Sequence, residues 1–320
     1  MNASSLRAGV VGVGHLGRHH ARLYASLEGV RLVGVVDTDA ERAAAIATEH
    51  GAEVFPDVKT LAGEIDLASV ATPTIHHEEV ASVLLDADVP VLVEKPITDS
   101  LASARHLIDT AARRGVPLMV GHTERFHPAI AELCERVGRP GYLEIHRLAP
   151  FVPRSLDVDV ILDLMIHDID LCRAILGPQE IKFLDASGAA ALTEKVDIAS
   201  VRIRFGNGAA ANLTASRISN ERVRRIRVFE PGAYFSCDTG HGLLNTFRLV
   251  REEGRMPNIV NESVDVAREE PLARELSAFR DAVAGGSAPP CSGEDGYAAL
   301  ELALRIRDLI AAEAETRARS

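Results

Sequence analysis

One glycine pattern near the start limits this chain more than any other feature. Residues 7–14 read RAGVVGVG, a short apolar run ending in glycine, and this predicts a buried strand. Gly12-Val13-Gly14-His15-Leu16-Gly17 follows, and residues 18–27 then continue at helical spacing. A second apolar strand, Val30 to Val36, ends at Asp37, 20 residues after Gly17. Strand, GxGxxG, helix, strand and acid, in that order, form a dinucleotide-binding fingerprint. Gly12 permits the tight turn, Gly14 lets backbone approach a pyrophosphate, and Gly17 lets the helix pack close to the strand. The free N–H groups at the helix start then face the phosphates. Asp37 stands where a carboxylate accepts from the adenosine ribose hydroxyls. Thr38 and Asp39 come next, with no arginine to receive a 2′-phosphate, so the pattern predicts NAD over NADP.

The alternation continues through the first 125 residues. Residues 66–71 (DLASVA) read as a strand ending in Thr72-Pro73, and His76 and His77 open a helix. Residues 89–93 (VPVLV) form the next strand, which ends in Glu94-Lys95-Pro96. A helix through Arg114, a strand over residues 116–120 and then Gly121-His122 complete the series. Strands alternating with helices imply a doubly wound parallel sheet, in which ligands bind at the strand carboxyl ends. Gly12 to Gly17, Asp37, Thr72, Lys95 and His122 all fall at such ends.

The pattern changes after Phe126. Residues 160–176 read as a helix. Residues 198–205 and 209–218 flank Gly206-Asn207-Gly208, and residues 224–229 and 234–238 flank Glu230-Pro231-Gly232, which are two hairpin signals. Val201, Ile203 and Phe205 share one face of their strand, while Arg202 and Arg204 share the other. The expected fold is therefore α/β. Residues 1–125 form a Rossmann domain with a doubly wound parallel sheet, and residues 126–320 form an α+β domain with a mostly antiparallel open sheet. A last helix is expected from about Gly293 to Ala312, ahead of a frayed polar tail.

Composition narrows the function classes. The 320 residues carry a formal net charge of −11, which argues against a nucleic-acid partner. No run reaches the roughly 18 apolar residues of a membrane span, and the start lacks the signature of a signal peptide. Cys134, Cys172, Cys237 and Cys291 are far apart in sequence, as expected of free thiols in the cytoplasm. No HxxxH, HExxH or cysteine cluster suggests a metal. Only four of the 35 basic residues are lysines, so Lys95 hints at a need for a compact, titratable amine.

Asp163, His167 and Asp170 fall at i, i+4 and i+7 of a helix that is apolar almost all round. Such polar groups are costly unless they are paired or used. They read either as a satisfied core pair or as working groups. Together with GxGxxG, Ala71-Thr72-Pro73 followed by His77, and Glu94-Lys95-Pro96, they give the chain a resemblance to the Gfo/Idh/MocA family. This is the glucose–fructose oxidoreductase and inositol dehydrogenase group, and the resemblance covers almost the whole chain. Met165, Asp168 and the stretch from Asp157 to Val160 depart from the usual family pattern.

The resemblance implies an NAD-dependent dehydrogenase acting on a secondary hydroxyl of a sugar. His167 would act as general base, Lys95 would hold the reacting hydroxyl, and Asp163 would orient His167; either Lys95 or His167 could take the proton. The implied cofactor set is Gly12, Gly14, His15, Leu16, Gly17, Asp37, Thr72, Pro73, His77, Glu94 and Lys95. The implied substrate set is Lys95, Arg125, Asp163, His167 and Arg217, where Arg125 could equally bridge the domains. The stretches 162–170 and 212–219 are similar to a subgroup acting at C3 of UDP-N-acetylglucosamine, on the diamino-sugar route to lipid A. Arg222 to Arg227 would suit its diphosphate, or would form a solvated strand edge. An inositol or simple-sugar dehydrogenase, and a non-catalytic dinucleotide-sensing regulator, are the alternatives. The family also implies a homodimer or homotetramer built through the second domain's sheet.

Overall fold

The computed structural model describes residues 5–152, 158–251 and 256–319, so Asp157 lies outside the described residues. The chain forms two compact units. One is built from the chain up to Thr123 together with Glu270–Leu300, the other from Glu124–Glu269 with the chain from Glu301 onward. The return of Glu270–Leu300 to the first unit has no counterpart in a single boundary after residue 125.

The first unit holds a parallel sheet of six strands. They are β1 (Leu6–Val11), β2 (Val30–Val36), β3 (Glu53–Val54), β4 (Leu67–Val70), β5 (Val91–Glu94) and β6 (Leu118–Gly121), in the order β3-β2-β1-β4-β5-β6. This is the doubly wound order, with its switch point between β1 and β4. Helices α1 (Gly17–Ser26), α2 (Ala40–His50), α3 (Val58–Ala62), α4 (His77–Asp86) and α5 (Leu101–Arg114) connect the strands. β4, β5 and β6 are buried along their whole length, which explains their uninterrupted apolar runs.

The second unit opens with α6 (Pro128–Arg136) and β7 (Tyr142–Leu148). A π-helical turn, Ile161–Met165, leads into α7 (Ile166–Leu176). Strands β8 (Ile181–Ala189), β9 (Ile198–Phe205), β10 (Ala210–Ser216), β11 (Val223–Glu230), β12 (Ala233–Asp238), β13 (Leu243–Val250) and β14 (Asn258–Val264) follow. The eight-stranded sheet runs β14-β13-β12-β11-β7-β10-β9-β8, with only β7 and β10 parallel. Both hairpins lie where the turn residues put them, and β9 alternates exposed and buried at every residue. β11 lies between β12 and β7, which corrects the reading of Arg222 to Arg227 as a strand edge.

One face of this sheet is buried through Leu143, Ile145, Ile203, Leu213, Val228 and Phe235. The other carries a row of rings, Tyr142, Phe229, Tyr234 and Phe247, with the first pair tilted at a centroid distance of 5.7 Å and the next two pairs stacked at 4.9 and 4.6 Å. Helices α8 (Pro271–Gly285) and α9 (Gly293–Arg319) end the chain. α9 extends past Ala312, where a frayed tail was expected. Its last residues are rich in Ala, Glu and Arg, which favour helix on intrinsic propensity.

The tightest constraint in the first unit is the crossing of α1 over the end of β1. A Cβ at Gly17 would stand 1.7 Å from the Gly12 carbonyl oxygen, a backbone atom with no freedom to rotate away. Gly17→Ala is therefore expected to cost at least about 2 kcal/mol, as an overpacked core site does. Chemical denaturation checks this, and a loss under about 0.5 kcal/mol would contradict the packing.

Candidate functional site

In the first unit the candidate site is built on strand carboxyl ends. β1 stops at Val11, and Gly12 turns the chain in the left-handed region at φ +82°. A Cβ there would meet the Thr72 nitrogen and the Ala71 carbonyl within 2.9 Å, so the loops after β1 and β4 lie in contact. Gly14 has open space where its Cβ would be, and His15 and Leu16 project outward as exposed side chains. No side chain caps the start of α1, whereas Asp39, Asp57 and Ser100 cap α2, α3 and α5. The Arg18 N–H bonds to the Gly14 carbonyl at 3.3 Å and the His19 N–H to that of Leu16 at 2.8 Å, while the positive dipole end of the helix still suits an anion.

Asp37 ends β2 and accepts four hydrogen bonds. The Val13 N–H donates to its Oδ2 at 2.7 Å and the Asp39 N–H to its Oδ1 at 2.9 Å. Arg42 donates to both oxygens, at 3.2 and 2.7 Å. Burial would raise the Asp37 pKa, but the Arg42 hydrogen bond and the two backbone donors outweigh it and hold the carboxyl below its ordinary value. Reading only the two residues after Asp37 missed Arg42. Its signal was an arginine five residues on, in the first turn of the next helix.

The loops after β4 and β5 are braced together by His77. Its Nδ1 lies 3.0 Å from the Pro96 carbonyl oxygen and its Nε2 lies 2.9 Å from that of Thr72. Burial pushes its pKa down, and a neutral ring donates to one carbonyl at a time. His77, one of the implied cofactor residues, is in these contacts a buried brace between the two loops. Pro73 is exposed, and the Thr72 Oγ1 is buried with no hydrogen-bond partner among the described residues.

Glu94 is also structural in its contacts. Its Oε1 lies 3.0 Å from the His20 Nε2, while the His20 Nδ1 lies 3.0 Å from the Ser69 Oγ, which is 2.9 Å from the Tyr24 hydroxyl. The Lys95 N–H donates to the Glu94 Oε2 at 3.2 Å. Burial would raise the Glu94 pKa, but the His20 hydrogen bond and the charges of His20 and Lys95 hold it below the usual carboxylate range. Lys95 itself is half-buried at the carboxyl end of β5.

In the second unit the polar helix is entered through a cap. The Asp159 Oδ1 accepts from the Ile161 and Leu162 N–H groups at 3.0 and 2.9 Å. The Ile166 N–H then reaches the Ile161 carbonyl, the i→i−5 bond of a π turn. Asp163 lies in that turn and His167 in the first turn of α7, both half-buried. The α-helical spacing expected for 163, 167 and 170 is therefore interrupted. Asp170 is buried and takes a fork from Arg125, with Nε to Oδ2 at 2.6 Å and Nη2 to Oδ1 at 2.7 Å.

Arg147 from β7 serves one buried and one half-buried carboxylate. It donates to the Asp168 Oδ1 at 2.8 and 2.7 Å and lies 3.0 Å from the Glu124 Oε1, which also pairs with Arg224 at 3.2 Å. Burial pushes the Asp168 carboxyl up to about 6 in spite of Arg147. Its Oδ2 has no hydrogen-bond partner among the described residues, so a proton there displaces nothing. Glu124 is held below its ordinary value against burial by Arg147 and Arg224 together.

Arg217, expected to meet substrate, makes the following contacts within the fold. Its Nε donates to Asp197 at 2.9 Å, Nη1 to the Val158 carbonyl at 2.7 Å and Nη2 to the Thr193 hydroxyl at 2.9 Å. The arginines of β11 are largely matched as well: Arg224 by Glu124, Arg225 by Asp238 and Arg227 by Glu144. No helix among the described residues is long and apolar enough to cross a membrane, and none of their His, Cys, Asp and Glu side chains form a group of three placed to hold a metal.

Comparison with known proteins places these features in context. Residues 6–122 match the GFO/IDH/MocA oxidoreductase family, NAD-binding Rossmann fold, and residues 136–231 match the GFO/IDH/MocA C-terminal domain. The chain is 44% identical to the UDP-N-acetylglucosamine 3-dehydrogenase of Acidithiobacillus ferrooxidans, across 94% of this chain and 96% of that protein. It superposes on a solved structure of that enzyme with a TM-score of 0.90 at 43% identity, covering 96% and 98% of the two chains. The myo-inositol 2-dehydrogenase of Thermotoga maritima is 30% identical over 93% of this chain and 94% of that protein. NAD is thus the cofactor, and the open Gly14, the uncapped α1, the orphaned Thr72 hydroxyl and Asp37 all fit it.

Asp168 gives this unit a testable pH dependence. A carboxyl whose folded pKa lies above its unfolded value of about 3.9 costs stability once the unfolded chain ionises. For Asp168 that cost grows from roughly pH 4 and is full above about pH 6. Asp168→Asn removes it. Denaturant titrations at pH 4 and pH 7 should show wild type losing stability relative to the variant as pH rises. A relative gain would mean that the Arg147 charge outweighs burial.

Proposed function

The chain belongs to the GFO/IDH/MocA oxidoreductase family, and on that premise we propose that it oxidises C3 of UDP-N-acetylglucosamine to the 3-keto sugar. The observation that carries the substrate reading is the 44% identity to an enzyme of that name across nearly the whole of both chains. The inositol dehydrogenases match at lower identity, 30% for the Thermotoga maritima protein. A dinucleotide-sensing regulator would need neither Lys95 nor His167, and both are present.

In this reading Gly12 to Gly17 and the first turn of α1 hold the pyrophosphate, and Asp37 holds the adenosine ribose. The Thr72 hydroxyl and the exposed Pro73 line the cofactor's path. Bound NAD supplies the hydride acceptor. Lys95 donates a hydrogen bond to the reacting hydroxyl and stabilises the developing alkoxide. His167 takes the hydroxyl proton, since a histidine titrates near working pH. Asp163 orients His167. Arg125 holds Asp170 on α7 through its fork, and Arg217 supports the helix entry through the Val158 carbonyl. His77 and Glu94 act one step back, by fixing the backbone on either side of Lys95.

The reading also includes a cytoplasmic location, supported by four thiols that form no disulfide. Its product would pass to an amino-transfer step on the way to a diamino sugar of lipid A. We further infer a homodimer or homotetramer through the open sheet face, where the row of Tyr142, Phe229, Tyr234 and Phe247 invites a cover. Light scattering at micromolar concentration should give a dimer or tetramer, and a monomer would contradict this.

The substrate reading is tested with NAD and a panel of UDP-sugars, free sugars and inositols, by following absorbance of the reduced cofactor. UDP-N-acetylglucosamine should show the highest kcat/KM, and an inositol leading the panel would overturn the reading. Lys95→Ala and His167→Ala should each lower kcat by roughly two or more powers of ten while leaving NAD affinity nearly unchanged. Near-normal turnover by His167→Ala would remove it as the base.

A further inference from the structure

Helix α7 is anchored twice, directly after His167. Asp168 docks onto Arg147 of β7, whose Nε and Nη2 lie 2.8 and 2.7 Å from its Oδ1. Asp168 is fully buried and its Oδ2 has no hydrogen-bond partner among the described residues, so this contact is what ties it. Asp170 docks onto Arg125, which forks onto both of its oxygens at 2.6 and 2.7 Å. The two guanidiniums are joined in turn. Arg147 Nη1 lies 3.0 Å from the Glu124 Oε1, and Glu124 and Arg125 are neighbours in the turn Thr123–Phe126. Asp168, Arg147, Glu124, Arg125 and Asp170 thus close a ring that ties α7 to β7 and to this turn. Arg224 joins it at Glu124, at 3.2 Å, so that three guanidiniums balance three carboxylates.

Such a ring acts on the rotation of the helix. Successive helical residues are about 100° apart, so Asp168 and Asp170 leave α7 about 200° apart, on opposite sides. One anchor lets a helix roll about its axis, whereas two on opposite sides stop it. The segment ahead of α7 is the π turn Ile161–Met165, and no regular helix continues there to resist the roll. A side-chain end stands roughly 6 Å from the axis, so a roll of about 10° moves it by about 1 Å. At a reacting group that displacement costs on the order of a hundredfold in rate. We propose that Asp168 is a positioning residue, which with Asp170 holds α7 against rolling so that His167 meets the substrate hydroxyl in one orientation. The inference rests on His167 as the base and not on which sugar is bound.

The test is steady-state kinetics with NAD and UDP-N-acetylglucosamine, or the sugar that leads the panel, with kcat counted per NAD-binding site by titration calorimetry. The assays run at about pH 8, above the value of about 6 to which burial raises the Asp168 carboxyl. Asp168→Ala should lower kcat by roughly ten- to a hundredfold, with KM and NAD affinity within about threefold of wild type. Asp168→Asn keeps an oxygen for Arg147 and should recover most of that loss. Arg147→Lys keeps the charge but cannot span Asp168 and Glu124 from one nitrogen, so it should fall with Asp168→Ala. In a His167→Ala background Asp168→Ala should cost nothing further, because no imidazole is left to orient. Should Asp168→Ala fold poorly by thermal melting, Asp168→Leu, which fills the same space, carries the same comparison. A lowered melting temperature with kcat per site unchanged would overturn the proposal, as would additive losses in the double variant. Near-normal turnover by His167→Ala would overturn it together with the base assignment, whereas a slow His167→Ala beside an unimpaired Asp168→Ala would overturn it alone.

Discussion

A buried carboxylate at the end of β5 holds the working parts of the first unit in register. Glu94 joins β5 to α1 through His20, and through Ser69 the same network reaches β4 and Tyr24. The strand that carries Lys95 and helix α1 are thus tied by one polar cluster inside an apolar core. Such a pair is costly to desolvate and costlier to break, because removing one partner strands the other's charge. Its value lies in geometry. The Lys95 backbone is fixed by the same carboxylate, His77 braces the next residue's carbonyl to the loop after β4, and Gly121 leaves room for Glu94 where a Cβ would come within 3.2 Å.

The second unit solves the same problem with arginine. Arg125 with Asp170, Arg147 with Asp168 and Glu124, and Arg217 with Asp197 are three clusters, each at least partly buried, around the π turn and α7. Each guanidinium makes two or more directed contacts, which a lysine could not do from one nitrogen. These three arginines are thus explained by the fold itself, without any anionic ligand. Asp163 and His167 lie half-buried on the same stretch of helix. The π turn marks the same spot, since such turns recur at functional sites.

The legible part of the fold came from local rules. Gly12, Gly14 and Gly17 each answer to a steric fact that the structure repeats, and the two hairpins follow from their turn residues. Strand alternation in β9 showed directly as alternating burial. What escaped reading depends on contacts between distant residues. Arg147 meets Asp168 across 21 positions and Glu94 meets His20 across 74, and no periodicity announces either pair. The π turn differs from an α-helix by one extra residue per turn, which an apolar segment does not reveal. The return of Glu270–Leu300 to the first unit is likewise a long-range choice. The contacts that Arg217 and His77 make inside the fold were equally invisible to residue type and position.

The central claim is that this chain moves a hydride from a sugar carbon to NAD. It is tested most directly by the fate of that hydrogen. The proposed nucleotide sugar, deuterated at C3 only, should be turned over with NAD and the reduced cofactor analysed by mass spectrometry and NMR. The account predicts one deuterium at C4 of the nicotinamide ring and a slowed rate wherever hydride transfer limits turnover. Reduced cofactor free of deuterium, formed from fully labelled sugar, would contradict it.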